Sequence, residues 1–539
     1  MSADLTVPQT TSAYRYIQPG AQGSSSQNPR ARWMALAVLV VAVLLVAVDA
    51  TVLVLALPFI SESLNPSATQ LLWIGDSYSF VIAGLLVSMG SLSDRIGRKR
   101  LLLIGAAAFG AASLIGAYAP SAAWLIAARA LLGVAGATIM PSTLSLIRSL
   151  FPDDRERARA IGIWGAAATA GAAAGPLVGG VLLEHFWWGS VFLINIPLVA
   201  VLLVLGHRLL PESRDPKPGA WDVLSVVLSL VGIIGAVYAV KEAAVSGLAR
   251  PDVWLAAVLG VGSLTAFWRR QLRLPMPLLD VRLFAHRRFT AAVLAALIAL
   301  IGLSGVVFFL SQYFQLVRGY SPLQAGLADL PAFAGSTVGA LAAASLAGRL
   351  GHRRALAGGL LAMGLGLGVL GWVDASTSYL LIGAAFAAIG LVEGVVYALS
   401  TTMVLDAAPA SKSGAASAVS ETAYELGTAL GIALVGTVTT AIYRSGLVLP
   451  AGVPASSGAA AENSLGAAVQ TAHTLPGEAG QALLHTARTS FVHGMNIAAL
   501  LSGVLLTLAA VLVWVLLGRG RRTAVATELP ASERLTAKR

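Results

Sequence analysis

The sequence predicts an all-α polytopic membrane protein, with two six-helix bundles and two further helices inserted between them. Three observations carry this. Of 539 residues, 57% are hydrophobic and only 11% charged, against roughly 25% charged in a soluble domain. Apolar runs near 20 residues, each long enough to cross a bilayer, recur from Trp33 to Gly518. They fall at roughly 33–58, 71–91, 101–119, 122–149, 158–183, 188–210, 221–245, 253–271, 289–316, 322–347, 355–373, 378–405, 414–443 and 490–518, fourteen in all. The Lys and Arg residues alternate with these spans. Thirty of the 36 lie in the N-tail, the even-numbered loops and the C-tail; five lie in the odd-numbered loops, and Arg129 lies within a span. This positive-inside bias places both termini in the cytoplasm of a bacterial inner membrane protein. It also accounts for the net charge of +11. The basic residues set topology and meet anionic headgroups, so no nucleic acid partner is read. Cysteine is absent, which excludes disulfides and thiolate metal sites. Seven His without ligand spacing give no metal site.

Residues 1–32 are polar and rich in Ser and Gln and read as a disordered cytoplasmic tail. The first apolar run is too long for a signal-peptide core and has no evident cleavage site, so it stays as span 1. The N-terminal bundle then runs over 33–210. Residues 211–288 hold spans 7 and 8 with their flanking loops. The second bundle covers 289–518, and 519–539 form a C-tail. A weak internal repeat supports the division. GSLSDRIGRKR (Gly90 to Arg100) follows span 2, and AGRLGHRR (Ala347 to Arg354) follows span 10. With spans 7 and 8 set aside, these loops become equivalent, a common plan for secondary transporters with a site near the midplane. The external loop 444–489 carries helical apolar spacing in AENSLGAAVQTAH and GQALLHTAR, split by Pro476 and Gly477. It predicts a short helical hairpin.

Ionisable residues inside spans are functional candidates, because each costs about 2.5–3.5 kcal/mol at a helix centre on insertion scales. Asp49 lies in span 1 with Thr51 nearby, and a carboxylate held away from water suits a group that takes and gives a proton. Arg129 in span 4 needs a partner, and Asp49 is a plausible one; the pair would titrate as a unit, or serve as a permanent structural ion pair. In span 2, Trp73, Asp76 and Phe80 share one helix face. An acid flanked by rings suits a lipophilic cation; the alternative is a polar residue at the rim. Glu421 and Glu425 in span 13 are four residues apart and stack on one face, with Tyr424 between them in sequence. They suit a proton carrier or a divalent-cation clamp. Glu393 in span 12 is mid-span, with Tyr397 one turn on. Asp329 lies nearer the outer end and carries less weight.

Two glycine-bearing motifs complete the set. At the cytoplasmic end of span 2, Gly90, Leu92, Asp94, Arg95, Gly97, Arg98 and Lys99 read as a latch. Asp94 there can pair across the loop or cap a helix N-terminus of the other bundle; the plainer alternative is a topology anchor. Span 5 reads GIWGAAATAGAAAGPLVGG from Gly162 to Gly180. Gly162, Gly171, Gly175, Pro176, Gly179 and Gly180 cost helix propensity but permit close helix approach and bending. No phosphate-binding loop is present and no cytoplasmic stretch is long enough for an ATPase, so energy comes from a proton or other gradient. No cofactor is called for, and no nucleophile–base pair marks a catalytic site or an enzyme.

At this point the chain resembles the fourteen-span drug:proton antiporters of the major facilitator superfamily, from Trp33 to Gly518. GSLSDRIGRKR is similar to the family's loop 2–3 motif. LIAARALLGVAGA (Leu125 to Ala137) is similar to its span-4 motif through Arg129, Gly133 and Gly136, with Leu132 for the usual Gln. DATVLVLALP is similar to its span-1 motif through Asp49, Thr51, Ala56 and Pro58, with Val54 for the usual Asn. The span-5 glycines match its antiporter motif. These departures, Asp76 and the external hairpin resemble the branch exporting quaternary ammonium compounds and dyes. The resemblance implies that Arg129 takes part in proton coupling and that the span-5 motif limits leak. The expectation is a monomeric exporter of lipophilic cations, exchanged for protons. A dedicated exporter of one self-made or toxic metabolite is the alternative. A proton-coupled importer fits poorly with the complete span-5 motif, and a receptor or membrane enzyme fits poorly with charges spread over several helices.

Overall fold

The computed structural model describes residues 29–518, apart from 65, 67, 216–221, 247–248, 276, 410–411, 451–452, 455–457, 460, 463 and 476. The side chains of Asp76 and Pro176 also lie outside the described set. Among the described residues every regular element is helical, and fourteen helices are long and apolar enough to cross a membrane. They are Pro29–Leu64, Ala68–Ile96, Arg98–Ala117, Ala122–Leu150, Asp154–His185 and Ser190–Leu209 for spans 1 to 6. Spans 7 and 8 are Val223–Ser246 and Pro251–Arg273. Spans 9 to 14 are Arg287–Val317, Gln324–Leu350, His352–Leu370, Tyr379–Ala407, Ser413–Gly446 and Gly477–Gly518.

Besides shifts of a few residues at many helix ends, three features differ from the sequence reading. Span 1 begins at Pro29, so residues 29–32 are helical and not tail; residues 1–28 and 519–539 lie outside the described set. Span 10 is interrupted near its start. A capping box at Ser321 and Gln324 opens the helix Pro322–Ala328, and the chain re-enters helix at Leu330 after Asp329. The external hairpin has one separate arm, Leu465–Thr474, started by Ser464 accepting from the Ala467 amide at 3.1 Å. Its other arm is the beginning of span 14, which is continuous from Gly477. The polar residues of 478–489 alternate with apolar ones at helical spacing, so the helix runs on past the apolar stretch.

Helices pair as two bundles. Spans 1, 3, 4, 5 and 6 pack among themselves, with span 2 against span 4. Spans 9 to 14 do the same in the second half. Across the middle, spans 2 and 4 meet span 13, and span 5 meets spans 10 and 12. The inserted pair is not a loose tether. Span 7 packs against both span 2 and span 13, and span 8 packs against span 7. Small residues let spans 7 and 8 cross closely: a Cβ on Gly260 would meet the backbone of Ala236 at 2.5 Å. At their basic ends Arg270 pairs with Asp222 at 2.6 Å, and Gln271 donates to Ser225 at 2.7 Å. The Arg270 hydrogen bonds pull the Asp222 carboxyl down to about 2. The outer face of span 8 carries bare Leu255 and Val258, 62% and 68% exposed, as a lipid-facing surface requires.

The two loops read as a repeat turn in the same way. Gly97 closes span 2 at φ 114° and Gly351 closes span 10 at φ 79°, each standing directly before the next helix. Side chains rarely adopt that backbone region, so a glycine is needed at both places.

Candidate functional site

The deepest charges lie in the first bundle. Asp49 and Arg129 form an ion pair at 3.1 Å, with side chains 0% and 2% exposed. Two charges out of water need further polar partners, and they have them. Asn195 of span 6 donates to Asp49 at 2.8 Å and to Ser113 of span 3 at 3.1 Å. Arg129 also donates to the Ile74 carbonyl at 3.3 Å and lies over the Tyr78 ring, 4.5 Å from its centre. The pairing read from sequence is therefore present. Asn195, Ser113 and Tyr78 were not singled out there. Asn195 sits in VFLINIPL, where an amide inside an apolar run was the available signal. Thr51 does not join this group. Its hydroxyl bonds back to Ala47 and Val48, and it faces Gly175 of span 5.

A second group joins spans 5, 12 and 13. Glu421 is buried, 5% exposed, and its Oε1 has no hydrogen-bond partner among the described residues. Glu425, one turn on, is half-buried. Glu393 is half-buried and accepts from the Ser336 hydroxyl of span 10, which in turn lies 3.3 Å from Thr169 of span 5. The three acids surround an aromatic run. Trp164 stacks on Tyr397 with ring centres 5.9 Å apart. Tyr397 meets Tyr424 edge-on at 4.2 Å, and the Tyr424 hydroxyl has no hydrogen-bond partner among the described residues. Tyr397 lies within the field of all three glutamates, and Tyr78 within that of both Asp49 and Glu425. Thus Glu393, Tyr397, Glu421, Tyr424 and Glu425, five positions read from sequence, form one cluster. Trp164 was missed, although a Trp between Gly162 and Gly165 in so small-residued a helix was a signal. Gly165 is what admits the Tyr397 ring: a Cβ there would stand 3.1 Å from it.

Span 2 brings its two rings together. Trp73 and Phe80 do meet edge-on, with centres 6.0 Å apart. Phe80 is buried, whereas Trp73 is partly exposed. The Asp76 side chain between them lies outside the described residues. Asp329, at the break in span 10, is partly buried, and its Oδ1 has no hydrogen-bond partner among the described residues.

At the basic end the Asp94 carboxylate holds both bundles. It accepts from Arg98 at 2.9 Å and from the first amides of span 13, Gly414 at 3.0 Å and Ala415 at 3.3 Å. This is the helix-N-terminus cap expected from sequence, and it favours an anion. Gly90 lies directly against Gly414, where a Cβ on either would strike the other's backbone. The loop after span 6 joins in. Ser213 accepts from Arg98 at 2.8 Å, Lys99 donates to the His207 carbonyl at 2.7 Å, and Asp215 pairs with Lys412 at 3.5 Å. Arg95 is exposed. Span 12 is tied in as well, by Arg157 to Asp406 at 2.7 Å and by Arg148 to the Leu405 and Ala408 carbonyls. Neither of these links was read from sequence.

The span-5 glycines divide by position. Gly162 approaches the Ala340 backbone of span 10, while Gly171 and Gly175 face Ala47 and Thr51 of span 1. Gly179 is buried. Gly180 has open space where a Cβ would go, so close packing does not explain that position. The helix is continuous from Asp154 to His185.

Comparison with known proteins decides the family. The family model of the Major Facilitator Superfamily matches residues 39–432. The chain belongs to the major facilitator superfamily. It is similar to the multidrug efflux pump LfrA of Mycolicibacterium smegmatis, 48% identical over 91% of this chain and 97% of that one. It is 40% identical to the methyl viologen resistance protein SmvA of Salmonella typhimurium, over 91% and 99% of the two chains. The puromycin resistance protein pur8 of Streptomyces alboniger is 36% identical over 91% and 92%. Among solved structures, the proton:xylose symporter XylE superposes with a TM-score of 0.60 at 15% identity, covering 90% of this chain and 96% of that one; it shows the fold. This major facilitator protein is thus an integral membrane transporter, and not an enzyme, whose relatives include a multidrug efflux pump and resistance proteins.

Proposed function

We propose that this transporter exports lipophilic, mainly cationic compounds, such as quaternary ammonium antiseptics and dyes like ethidium, in exchange for protons. The observation that carries the reading is the cluster around Glu421. A buried carboxylate with an unpartnered oxygen, beside the faces and edges of Tyr397 and Tyr424, carries no cation of its own from the described residues. An incoming flat cation satisfies both charge and rings, and in its absence a proton neutralises the carboxylate. The names of the relatives, multidrug efflux and methyl viologen resistance, support the same class of cargo. Glu393, Glu425, Trp73, Asp76 and Phe80 complete the cation site. Asp49 and Arg129 couple the proton.

The rest follows from alternating access. The bundles 33–210 and 289–518 rock about the cluster, and the chain works as a monomer in the inner membrane, with both termini and the basic end in the cytoplasm. The Asp94 latch, with Gly90, Arg95, Gly97, Arg98 and Lys99, closes the cytoplasmic side. The span-5 motif from Gly162 to Gly180 keeps the joint tight against leak. Similarity to a puromycin resistance protein favours, as a second reading, a dedicated exporter of one toxic metabolite.

The test is equilibrium binding of tetraphenylphosphonium to purified protein, with proton release read in weakly buffered solution. Wild type is expected to release protons on binding. Glu421→Gln is expected to bind at least about tenfold more weakly, for the loss of a desolvated charge pair. Binding unchanged in the Glu421→Gln, Glu425→Gln double variant would sink the assignment.

A further inference from the structure

A partly open cavity lies beside the cation cluster, where the inserted helix meets the two bundles. Its volume is about 110 Å³, and its walls come from spans 2, 7 and 13. Phe80 and Ala83 line it from span 2, and Ile233, Ile234 and Val237 from span 7. Glu425 is the only ionisable group among its lining residues. The span-7 walls are branched aliphatic side chains, Leu426, Ala429 and Ile432 add apolar surface from span 13, and Ser79 and Thr428 add two hydroxyls. Within the described residues, the Glu425 carboxylate is held by no hydrogen bond or ion pair.

The cavity exists because span 7 is docked. Gly84 lets it approach, since a Cβ there would strike Leu230, and Ser229 donates to the Gly84 carbonyl at 3.4 Å. Its size decides what it can take. Pockets that enclose a whole drug run from roughly 300 to 1,000 Å³, so this one holds part of a molecule. Its chemistry decides which part. Largely apolar walls with a single carboxylate match a hydrocarbon chain ending at a positive head.

We propose that spans 2, 7 and 13 form a side subsite for the alkyl chain of a quaternary ammonium cation, with the head against Glu425. The inserted pair of helices is then a determinant of cargo shape. Compact cations use the cluster around Glu421 and leave the side cavity unfilled. This rests on the cation-export reading above and extends it to a chain-length preference.

The test is export from proteoliposomes of an alkyltrimethylammonium series, hexyl to hexadecyl, with ethidium as the compact cation. Val237→Phe fills the cavity and Ile234→Ala enlarges it; neither residue belongs to the cation cluster. Val237→Phe is expected to weaken apparent affinity for long chains by about tenfold, equivalent to roughly two methylenes left in water, and to leave ethidium unchanged. Ile234→Ala is expected to move the preferred chain length upward. If both variants keep the wild-type chain-length profile while exporting ethidium, the side subsite is wrong and the export reading stands. Should Val237→Phe fail to fold, Ile234→Ala decides alone, and an unmoved profile overturns the subsite. If folded wild type exports neither class of cation, the export reading fails and takes the subsite with it.

Discussion

Replacing Asp94 by Asn removes one negative charge from the start of span 13 while keeping an acceptor of the same shape. In the structure that charge faces two amides, Gly414 at 3.0 Å and Ala415 at 3.3 Å, and the Arg98 guanidinium at 2.9 Å. Hydrogen bonds to charged groups contribute roughly 1.5–3 kcal/mol, about twice a neutral one. Losing the charge therefore costs the latched state about 2 kcal/mol, which raises the population with the bundles parted by about 30-fold. Arg98 keeps its bond to Ser213 at 2.8 Å, so the substitution acts mainly across the bundle contact. The chain has no cysteine, which makes the readout clean. Ser417 faces Ser145 across the two bundles, 3.5 Å apart and buried. The rate of maleimide labelling of Ser417→Cys follows the open population when opening and closing are fast. The expected result is a rate about 30-fold higher in the Asp94→Asn background, at equal thermal stability of the first bundle. An unchanged rate would refute the idea that Asp94 holds the two bundles together.

Three further outcomes follow from the same geometry. Asn195→Leu leaves one side of the buried Asp49 carboxylate unsatisfied and is expected to lower stability by about 1–3 kcal/mol, read as a fall in melting temperature; no fall would mean that Asn195 does not position Asp49. Gly162→Val crowds the Ala340 backbone and is expected to abolish transport, with overpacking costing about 1–3 kcal/mol, whereas Gly180→Ala meets open space and is expected to retain full transport. The Asp222–Arg270 link should persist on acidification. Its carboxyl lies at about 2 in the folded protein against about 3.9 unfolded, so its stabilisation is complete above the higher value and is lost only as pH falls toward the lower. Asp222→Asn is accordingly expected to loosen spans 7 and 8 at neutral pH, seen as faster proteolysis of the segment 274–286, and to make progressively less difference as pH falls toward and below 2.

The fold was legible because its determinants are local. Span length and alternating basic loops need no tertiary information, and fourteen helices stand where fourteen runs were read. The Asp49–Arg129 pair was legible for a related reason: an Arg in hydrocarbon must find a counter-charge, and few are available. What the sequence hid depends on which helices touch. Asn195 is neutral, so no charge rule flags it, yet it lies between Asp49 and Ser113. Arg157 and Asp406 lie on helices far apart in sequence and meet only after the bundles dock. The repeat was also half-legible. Gly97 and Gly351 share a positive φ, but Gly348 stands where an acid matching Asp94 would be, so only one of the two turns reaches across with a carboxylate. The role of span 7 was invisible altogether. No charge lies in its sequence before Lys241, and only its docked position beside Glu425 gives its side chains something to select.

The most direct test of proton-coupled cation export is ethidium movement in proteoliposomes with an imposed pH gradient, comparing wild type with Asp49→Asn. The account predicts gradient-driven movement by wild type that reverses when the gradient is reversed, and none by Asp49→Asn. Ethidium moved by Asp49→Asn at the wild-type rate, or no gradient-driven movement by folded wild type, would contradict it.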